Sequence, residues 1–541
     1  MVALAHGQWR RRDFARRGAL TAAAPALLFA LCGCTVGPDY VREPAPVSET
    51  FKELKGWKRA NPNDAADRGD WWAPYRDAKL ATLLRQVAVS NQTVAAAAAA
   101  YEESRAIIRE AQAALFPVAT ASYGVTRTRT GALAGTTGGS AVGANLRTRY
   151  TTQYSAPING SWDLDVWGRV RRTIEGDTSA AQASAADLDS AKLAAQAQLA
   201  TAYFNLRTSD ALHDLLTRTA AAYRETYRVT LNKRNAGFGP PGTQGTTDAE
   251  VGLALAQVQN IEAQALATGV QRAQFEHAIA VLAGRPPAEL SIAHIPLAGR
   301  IPKIPVAVPS ALLERRPDIA AAERTMQQDN ALIGVAEAAY YPDVSLSAIV
   351  QFIGPIPLPF SAARSIQSIG ANAAQTLFNG GLTAAQVDAA RATYWQSVAT
   401  YRQTVLTAFQ QVEDALAAIR IYTRELAVEQ DAVKNAQKAV EVYSRQYRAG
   451  TVDLTTVITA EVTLLNNEVN ELNIRQNLFL ASVNLIVALG GGWDTMLIPT
   501  QGQLASGFSL LPKYERVPHA LESPPAEAAP DDTAATSQPK R

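Results

Sequence analysis

Polar and apolar residues alternate with a period of two along four stretches of the chain, and a helical period governs most of the rest. From Thr151 to Val166, Gln153, Ser155, Asn159, Ser161, Asp163 and Asp165 face one way. Tyr154, Ala156, Ile158, Trp162, Leu164 and Val166 face the other. Later, Val344, Leu346, Ala348, Val350 and Phe352 oppose Asp343, Ser345, Ser347 and Gln351. Val118–Thr130 alternates less cleanly, and Ser365–Phe378 least of the four. One apolar and one polar face fits a transmembrane barrel with lipid outside and water inside. A soluble antiparallel sheet packed on a core gives the same alternation, so the strands alone leave both readings open.

The helical stretches are unusually long. Between Gly381 and Ala449 there is no proline and no internal glycine, so nearly seventy residues at ~1.5 Å each predict a rod of roughly 100 Å. Val170 to about Ala236 predicts a similar rod, interrupted only by Gly176. Partner helices near Thr246–Ala283 and Asp453–Leu489 follow after turns and are expected to pack antiparallel. A rod of this length cannot bury its apolar stripe alone. No apolar run of the roughly 18 residues that a spanning helix needs occurs after the N-terminus, so a membrane crossing has to come from strands.

The pattern occurs twice. Ala111-Gln-Ala-Ala-Leu-Phe-Pro117 matches Ala336-Glu-Ala-Ala-Tyr-Tyr-Pro342 without a gap, an offset of 336 − 111 = 225. The same offset pairs Val94 with Ile319, Ala97 with Ala322 and Ile108 with Ile333. Further on, Ala236-Gly237 pairs with Ala449-Gly450, and Ala249-Glu-Val251 with Ala460-Glu-Val462. Each half reads as helix, proline, two strands, long helix, glycine-containing turn and helix. Four strands in an open sheet would leave edge N–H and C=O groups unsatisfied in lipid. Closure therefore requires several copies; three would give about twelve strands, within the range of known barrels, though this argument does not itself choose three.

Arg10, Arg11, Arg12, Arg16 and Arg17 precede an apolar stretch from Gly18 to Leu31, the pattern of an export signal. Leu31-Cys32-Gly33-Cys34 then resembles a bacterial lipobox. Cleavage before Cys34 is expected, because using Cys32 would place bulky Leu31 at the cleavage position, and Cys34 would carry lipid. An ordinary secretory signal is the alternative. Arg11-Arg12-Asp13-Phe14 also looks like a twin-arginine signal, which leaves the export route open. Thr35 stands where an inner-membrane retention aspartate would be, favouring the outer membrane. The lipobox shifts the strand reading toward a barrel.

Composition removes other classes. A net charge of +2 over 541 residues gives no reason to expect a nucleic-acid partner. Cys32 and Cys34 are the only cysteines, and His6, His213, His277, His294 and His519 have no ligand spacing, so no metal or cofactor is expected. The apical loops, Gly131–Arg149 and Gly354-Pro-Ile-Pro-Leu-Pro359, hold no phosphate-cradling motif. Asp163 and Asp165, expected on one strand face, read as lining a barrel lumen and not as an acid–base pair. No nucleophile constellation emerges, so an enzyme is not expected.

Three further sets of residues stand out: Cys34-Thr-Val-Gly-Pro-Asp-Tyr40, then Trp71-Trp72, Asp77, Leu80, Leu83 and Asn91, and above all Leu312-Leu-Glu-Arg-Arg-Pro-Asp-Ile319 with Ala322-Glu323. With these segments the chain resembles the TolC-like outer-membrane factor family, in the lipoprotein branch typified by OprM and NodT. Trp162-Asp-Leu-Asp-Val-Trp-Gly-Arg169 and Leu377-Phe-Asn-Gly-Gly381 look like the strand-to-helix joints. The resemblance covers about Cys34 to Trp493. Physically, Pro317 suits the first helical position, Asp318 the positive helix end, and Arg316 an extended residue before proline.

The resemblance implies a mainly α homotrimer with a twelve-stranded membrane β-barrel, an equatorial collar and a long α-helical barrel. It implies passive conduction of drugs or other small molecules, with a periplasmic adaptor and an inner-membrane pump of the resistance-nodulation-division type as partners. A type I protein-secretion duct and a poreless structural lipoprotein are the competing readings. The turn Tyr447-Arg448-Ala449-Gly450-Thr451-Val452-Asp453-Leu454 resembles the tip that meets the adaptor, which assigns contacts to Arg448, Gly450, Val452 and Leu454. Gly237 lies in the repeat-related tip, which departs from the family by a Gly/Pro-rich expansion. Where relatives close the tube with leucine and aspartate, Thr455 and Thr459 stand here. Asp453 and Glu461 are candidate gate or pore acids, and a solvated helix face explains them equally. The expected organisation is a signal over 1–33, an arm over 34–70, a first repeat over 71–308 (hairpin about 118–166), a second over 309–493 (hairpin about 343–378), and a disordered tail over 494–541.

Overall fold

The computed structural model describes residues 35–46, 51–54, 70–130, 149–238, 245–298, 302, 315–357, 360–493 and 495–505. The signal segment, Cys34, the interior of the first apical loop and the tail beyond 505 lie outside the described residues.

Two helices open the first repeat, α1 (Ala78–Ser90) and α2 (Gln92–Ala113). Asp77 caps α1, accepting from the Lys79 and Leu80 N–H groups, and Asn91 caps α2 through Thr93 and Val94. Strands β1 (Val118–Ala121), β2 (Gly124–Thr130) and β3 (Arg149–Leu164) follow, then α3 (Arg169–Asn235) and α4 (Asp248–Leu282). The second repeat comprises α5 (Pro317–Ala338), β4 (Asp343–Gly354), β5 (Ser365–Ala374), α6 (Leu382–Ala449) and α7 (Leu454–Ala488). The duplication is visible in the helix limits: α2 and α5 are both 22 residues long, and 317 − 92 = 338 − 113 = 225. The partner helices α4 and α7 are both 35 residues long. Their starts differ by 454 − 248 = 206, which places Glu250 in the first turn of α4 and Glu461 in the second turn of α7. The Ala-Glu-Val match at those two sites is therefore not a structural equivalence.

All strands form one antiparallel sheet in the order β1/β2, β3, β4, β5. Registers are regular throughout: Trp162 faces Leu346 and Ile158 faces Val350, so apolar residues of neighbouring strands share a face. β1 and β2 are two pieces of one strand, both paired to β3 in a single register. The interruption falls at Ser122, opposite Pro157, whose ring nitrogen has no proton for the ladder; only Ser122 N–H to the Pro157 carbonyl survives, at 3.0 Å. β5 ends at Ala374 and not at Phe378, because its partner Asp343 begins β4; Leu377 and Phe378 are 92% and 89% exposed. Among the described residues both outer strands leave open edges.

The largest core lies midway along the helices. Leu80, Leu83 and Leu84 of α1 meet Tyr203 and Phe204 of α3, Val412 and Leu416 of α6, and Leu478 and Phe479 of α7. Phe204 and Phe479 stack at 4.9 Å. Near the sheet, the arm residues Val36 and Gly37 lie against α3. Arg172, itself buried, donates to both of their carbonyls and to Asp39 at 2.8 Å.

The inter-repeat signature has a packing role. Arg316 is extended (φ −111, ψ 124) and Pro317 opens α5. The Arg316 guanidinium grips Asp318 through both carboxylate oxygens and donates to the Ala488 carbonyl, at the end of α7, at 3.0 Å. Asn91, its counterpart 225 residues earlier, donates to the Leu282 carbonyl at the end of α4, at 2.8 Å.

Candidate functional site

The two helix pairs meet far from the sheet, at the turns α3–α4 and α6–α7. Gly450 ends α6 with φ +80, and its N–H together with that of Thr451 satisfies the last carbonyls, at 3.1 and 3.0 Å. Residues that need positive φ are costly with any side chain except glycine, so the turn is fixed by that position. Asp453 caps α7, accepting from the N–H and hydroxyl of Thr456 at 2.9 and 2.6 Å. These bonds hold its carboxyl below the usual aspartate range. At the other turn Thr247 and Glu250 form a reciprocal capping box at the start of α4.

The turns are latched together by α3. Lys233, in its last turn, is buried, lies over the Tyr447 ring at 4.0 Å from the centroid, and donates to the Tyr447 carbonyl. Desolvation lowers its pKa while Glu250 opposes that shift. Tyr447 is buried, and its hydroxyl lies 3.0 Å from that of Thr230. Phe238, 55% exposed, sits 3.5 Å from where a Cβ on Gly450 would stand. Arg448 reaches Glu225 at 3.7 Å across the surface.

Of the expected contact residues, Arg448 and Gly237 are exposed and Val452 is half-buried. Gly450 is buried in its turn. Leu454 is a correction: only 1% exposed, it packs with Ala254, Tyr447 and Val457, and so presents no surface to a partner. Glu461 is a second correction. Its side chain lies inside the protomer between α7 and α3, where Thr226 donates to it at 2.7 Å, and neither a solvated face nor an open lumen describes it. Burial pushes its carboxyl up to about 7. Thr455 and Thr459 do lie on an exposed face of α7, with Thr463 next along it, each later hydroxyl donating to the carbonyl four residues before, at 2.8 Å.

At the sheet end, Asp163 is exposed in β3 opposite Ser345. Asp165 does not share its strand face, because β3 stops at Leu164. Its carboxylate turns back to accept from the Val170 and Arg171 N–H groups at 2.9 and 3.0 Å, capping α3 where Gly168 has no side chain to do so. Lys233, Phe238 and Thr226 carried no sequence assignment; the one signal for Lys233 was a cation in the last turn of a long helix. Among the described residues there is no helix long and apolar enough to cross a membrane and no group of metal-ligating side chains.

The family model described as outer membrane efflux protein matches the chain over residues 83–278 and 308–491. The probable efflux pump outer membrane protein TtgC of Pseudomonas putida is 31% identical over 86% of this chain and 94% of its own length. The pyoverdine export outer membrane protein OpmQ of Pseudomonas aeruginosa is 28% identical over 88% and 97%. Among solved structures, the outer-membrane channel OprN aligns with a TM-score of 0.75 and 26% identity, covering 85% of this chain and 100% of that one. The open state of the Neisseria gonorrhoeae channel MtrE aligns with a TM-score of 0.71 and 25% identity, covering 85% and 99%. The duplicated helix–sheet–helix unit and these similarities lead to one assignment: the chain belongs to the outer membrane efflux protein family.

Proposed function

We propose that this protein is the outer-membrane exit channel of a tripartite efflux pump, conducting small molecules passively from periplasm to exterior. The observation that carries the reading is an amphipathic, open-edged sheet of four strand positions mounted on two pairs of very long helices, in a chain of this family. Sheet edges in lipid must be closed, and three copies would join into a twelve-stranded barrel continued by an α-helical tube. Cys34 would carry the lipid anchor, and the Arg172-held arm supports that reading by fixing Thr35 and Val36 beside the sheet-to-helix joint. Asp163, on the polar strand face, would line the barrel.

The helix tips would engage the adaptor and, through it, a pump of the resistance-nodulation-division type. Arg448, Gly237 and Val452 offer the contact surface, to which Phe238 is added, while Gly450 fixes the turn. The exposed threonines Thr455 and Thr459 would form a hydroxyl-lined constriction, with Asp453 at its rim.

The test is accumulation of a panel of dyes and antibiotics in a deletion strain, with and without the gene restored. Raised accumulation reversed by the restored gene is expected. Unchanged accumulation for every compound, with the protein expressed, would reject small-molecule efflux. Replacing Cys34 with Ser should abolish palmitate labelling; retained label would reject the anchor.

A further inference from the structure

Between α3, α6 and α7, close to the tip, lies a cavity of about 180 Å³. Glu461 lines it from α7, Glu225 and Thr226 from α3, and Ser444 and Tyr447 from α6, with Val229, Val440 and Val457 as its apolar walls. Glu461 is 8% exposed and has one neutral hydrogen-bond donor, Thr226, and no ion pair among the described residues. The adjoining Tyr223 hydroxyl is also buried without a hydrogen-bond partner among the described residues, and it faces Glu461 and Glu468. Lys233 sits nearby on the other side of the latch, where the Tyr447 ring and carbonyl already accommodate one buried ammonium. Among the described residues this buried carboxylate beside a cavity lacks the cationic side chain that such groups ordinarily have.

We propose that this tip cavity is a binding site for a small organic cation, an alkylammonium or alkylguanidinium ion whose charged head meets Glu461. The hydroxyls of Thr226 and Ser444 would take further N–H donors, and the short alkyl chain would lie on the three valines. The Arg448–Glu225 pair borders the mouth, so a narrow free ion would enter more readily than a bulky one. Bound there, the ion would brace α3, α6 and α7 together at the end of the molecule that the functional reading takes as the gate.

The remaining charged groups around Glu461 set the pH dependence. Glu225 is paired with Arg228 and Arg448 at the mouth, and Glu468 lies along α7 within the fields of Arg218 and Glu471. The carboxyl titrates at about 7 in the empty site, so at pH 8 it is ionised and available to the cation. At pH 6, one unit below that value, only about a tenth is ionised, and the apparent affinity falls about tenfold.

The experiment titrates n-butylamine, n-butylguanidine and, as a neutral isostere, 1-butanol into the full-length protein purified in detergent, reading the thermal unfolding midpoint at pH 8 and pH 6. Both cations should raise the midpoint saturably at pH 8, more weakly at pH 6, and 1-butanol should not. Glu461→Gln should weaken amine binding by about tenfold to a hundredfold. Val440→Phe fills the cavity but keeps the carboxylate, and should also abolish the shift, so the test survives if the first variant folds poorly. Amine binding unchanged in both variants, or no amine response in the native protein, would overturn the proposal; the latter would leave Glu461 exchanging only a proton. Because the readout is binding, its failure is distinct from failure of the conduction reading, which the accumulation assay tests.

Discussion

In the first repeat the chain leaves α4 at Gly284, where an added Cβ would lie 2.0 Å from the Ser90 carbonyl oxygen; in the second it leaves α7 at Gly490, 1.8 Å from that of Arg315. Ser90 and Arg315 are themselves 315 − 90 = 225 residues apart, so the two repeats have kept one joint. The tips have not been kept alike. Gly450 closes α6 with room to spare, 3.5 Å from Phe238, while among the described residues nothing lies within 4 Å of where a Cβ on its counterpart Gly237 would stand. Interiors packed to crystal density tolerate little drift, whereas a turn that meets solvent or a partner is free to diverge. Duplication preserved the scaffold and left the tips to specialise.

The sharpest way to break this comparison is to place the same side chain in both regions. Gly490→Ala meets a carbonyl at an impossible distance and strains a left-handed position (φ +94), so it should lower unfolding free energy by about 3 kcal/mol or more. Gly450→Ala carries the backbone cost alone, about 1 kcal/mol. Thermal or urea unfolding of the two variants would measure this, and equal losses would refute the distinction. Next in size is the polar half of the joint. Arg316→Ala strands Asp318 and uncaps the Ala488 carbonyl, costing about 3 kcal/mol, whereas Asn91→Ala should cost about 1–2 kcal/mol as a lost cap.

A third test uses acid. Glu461 is raised from 4.5 to about 7 by burial, so between those values the folded protein binds more protons than the unfolded chain. Stability must then fall as pH rises through that window, by on the order of 2 kcal/mol. Unfolding midpoints at pH 5 and pH 8 should show the fall in the native protein, and Glu461→Gln should flatten it. A slope that is unchanged in the variant would assign the effect to other groups.

How much of this was legible in the sequence depends on how local the cause is. The faces of β3 and β4 followed from period-two alternation, and the long helices from the absence of breakers, because each is decided by neighbours in sequence. Asp165 was misread because the alternation runs on past Leu164, while the strand stops where the partner β4 begins. Leu454 and Glu461 were misread for another reason: Glu461 is buried by α3 packing against α7, and Leu454 by Ala254 of α4 and Tyr447 of α6, and turn chemistry carries no record of either. The contact of Lys233 with Tyr447, 214 residues apart, has no local signature at all.

The smallest expected effect separates the two caps at the tips. Thr247→Ala and Asp453→Ala should each cost about 1 kcal/mol near neutral pH, since each removes an oxygen that accepts from a first-turn N–H. Their pH dependence should differ. The Asp453 carboxyl is held below its ordinary range by Thr456, so its contribution is present above the unfolded aspartate value and is lost as pH falls through the folded one. The Thr247 hydroxyl does not titrate and keeps accepting from the Glu250 N–H. On acidification the penalty of Asp453→Ala should therefore shrink toward zero while the penalty of Thr247→Ala persists. If both fade together, the carboxylate is not what sets the second tip apart, and the asymmetry between the turns must be sought in the Phe238–Gly450 contact instead.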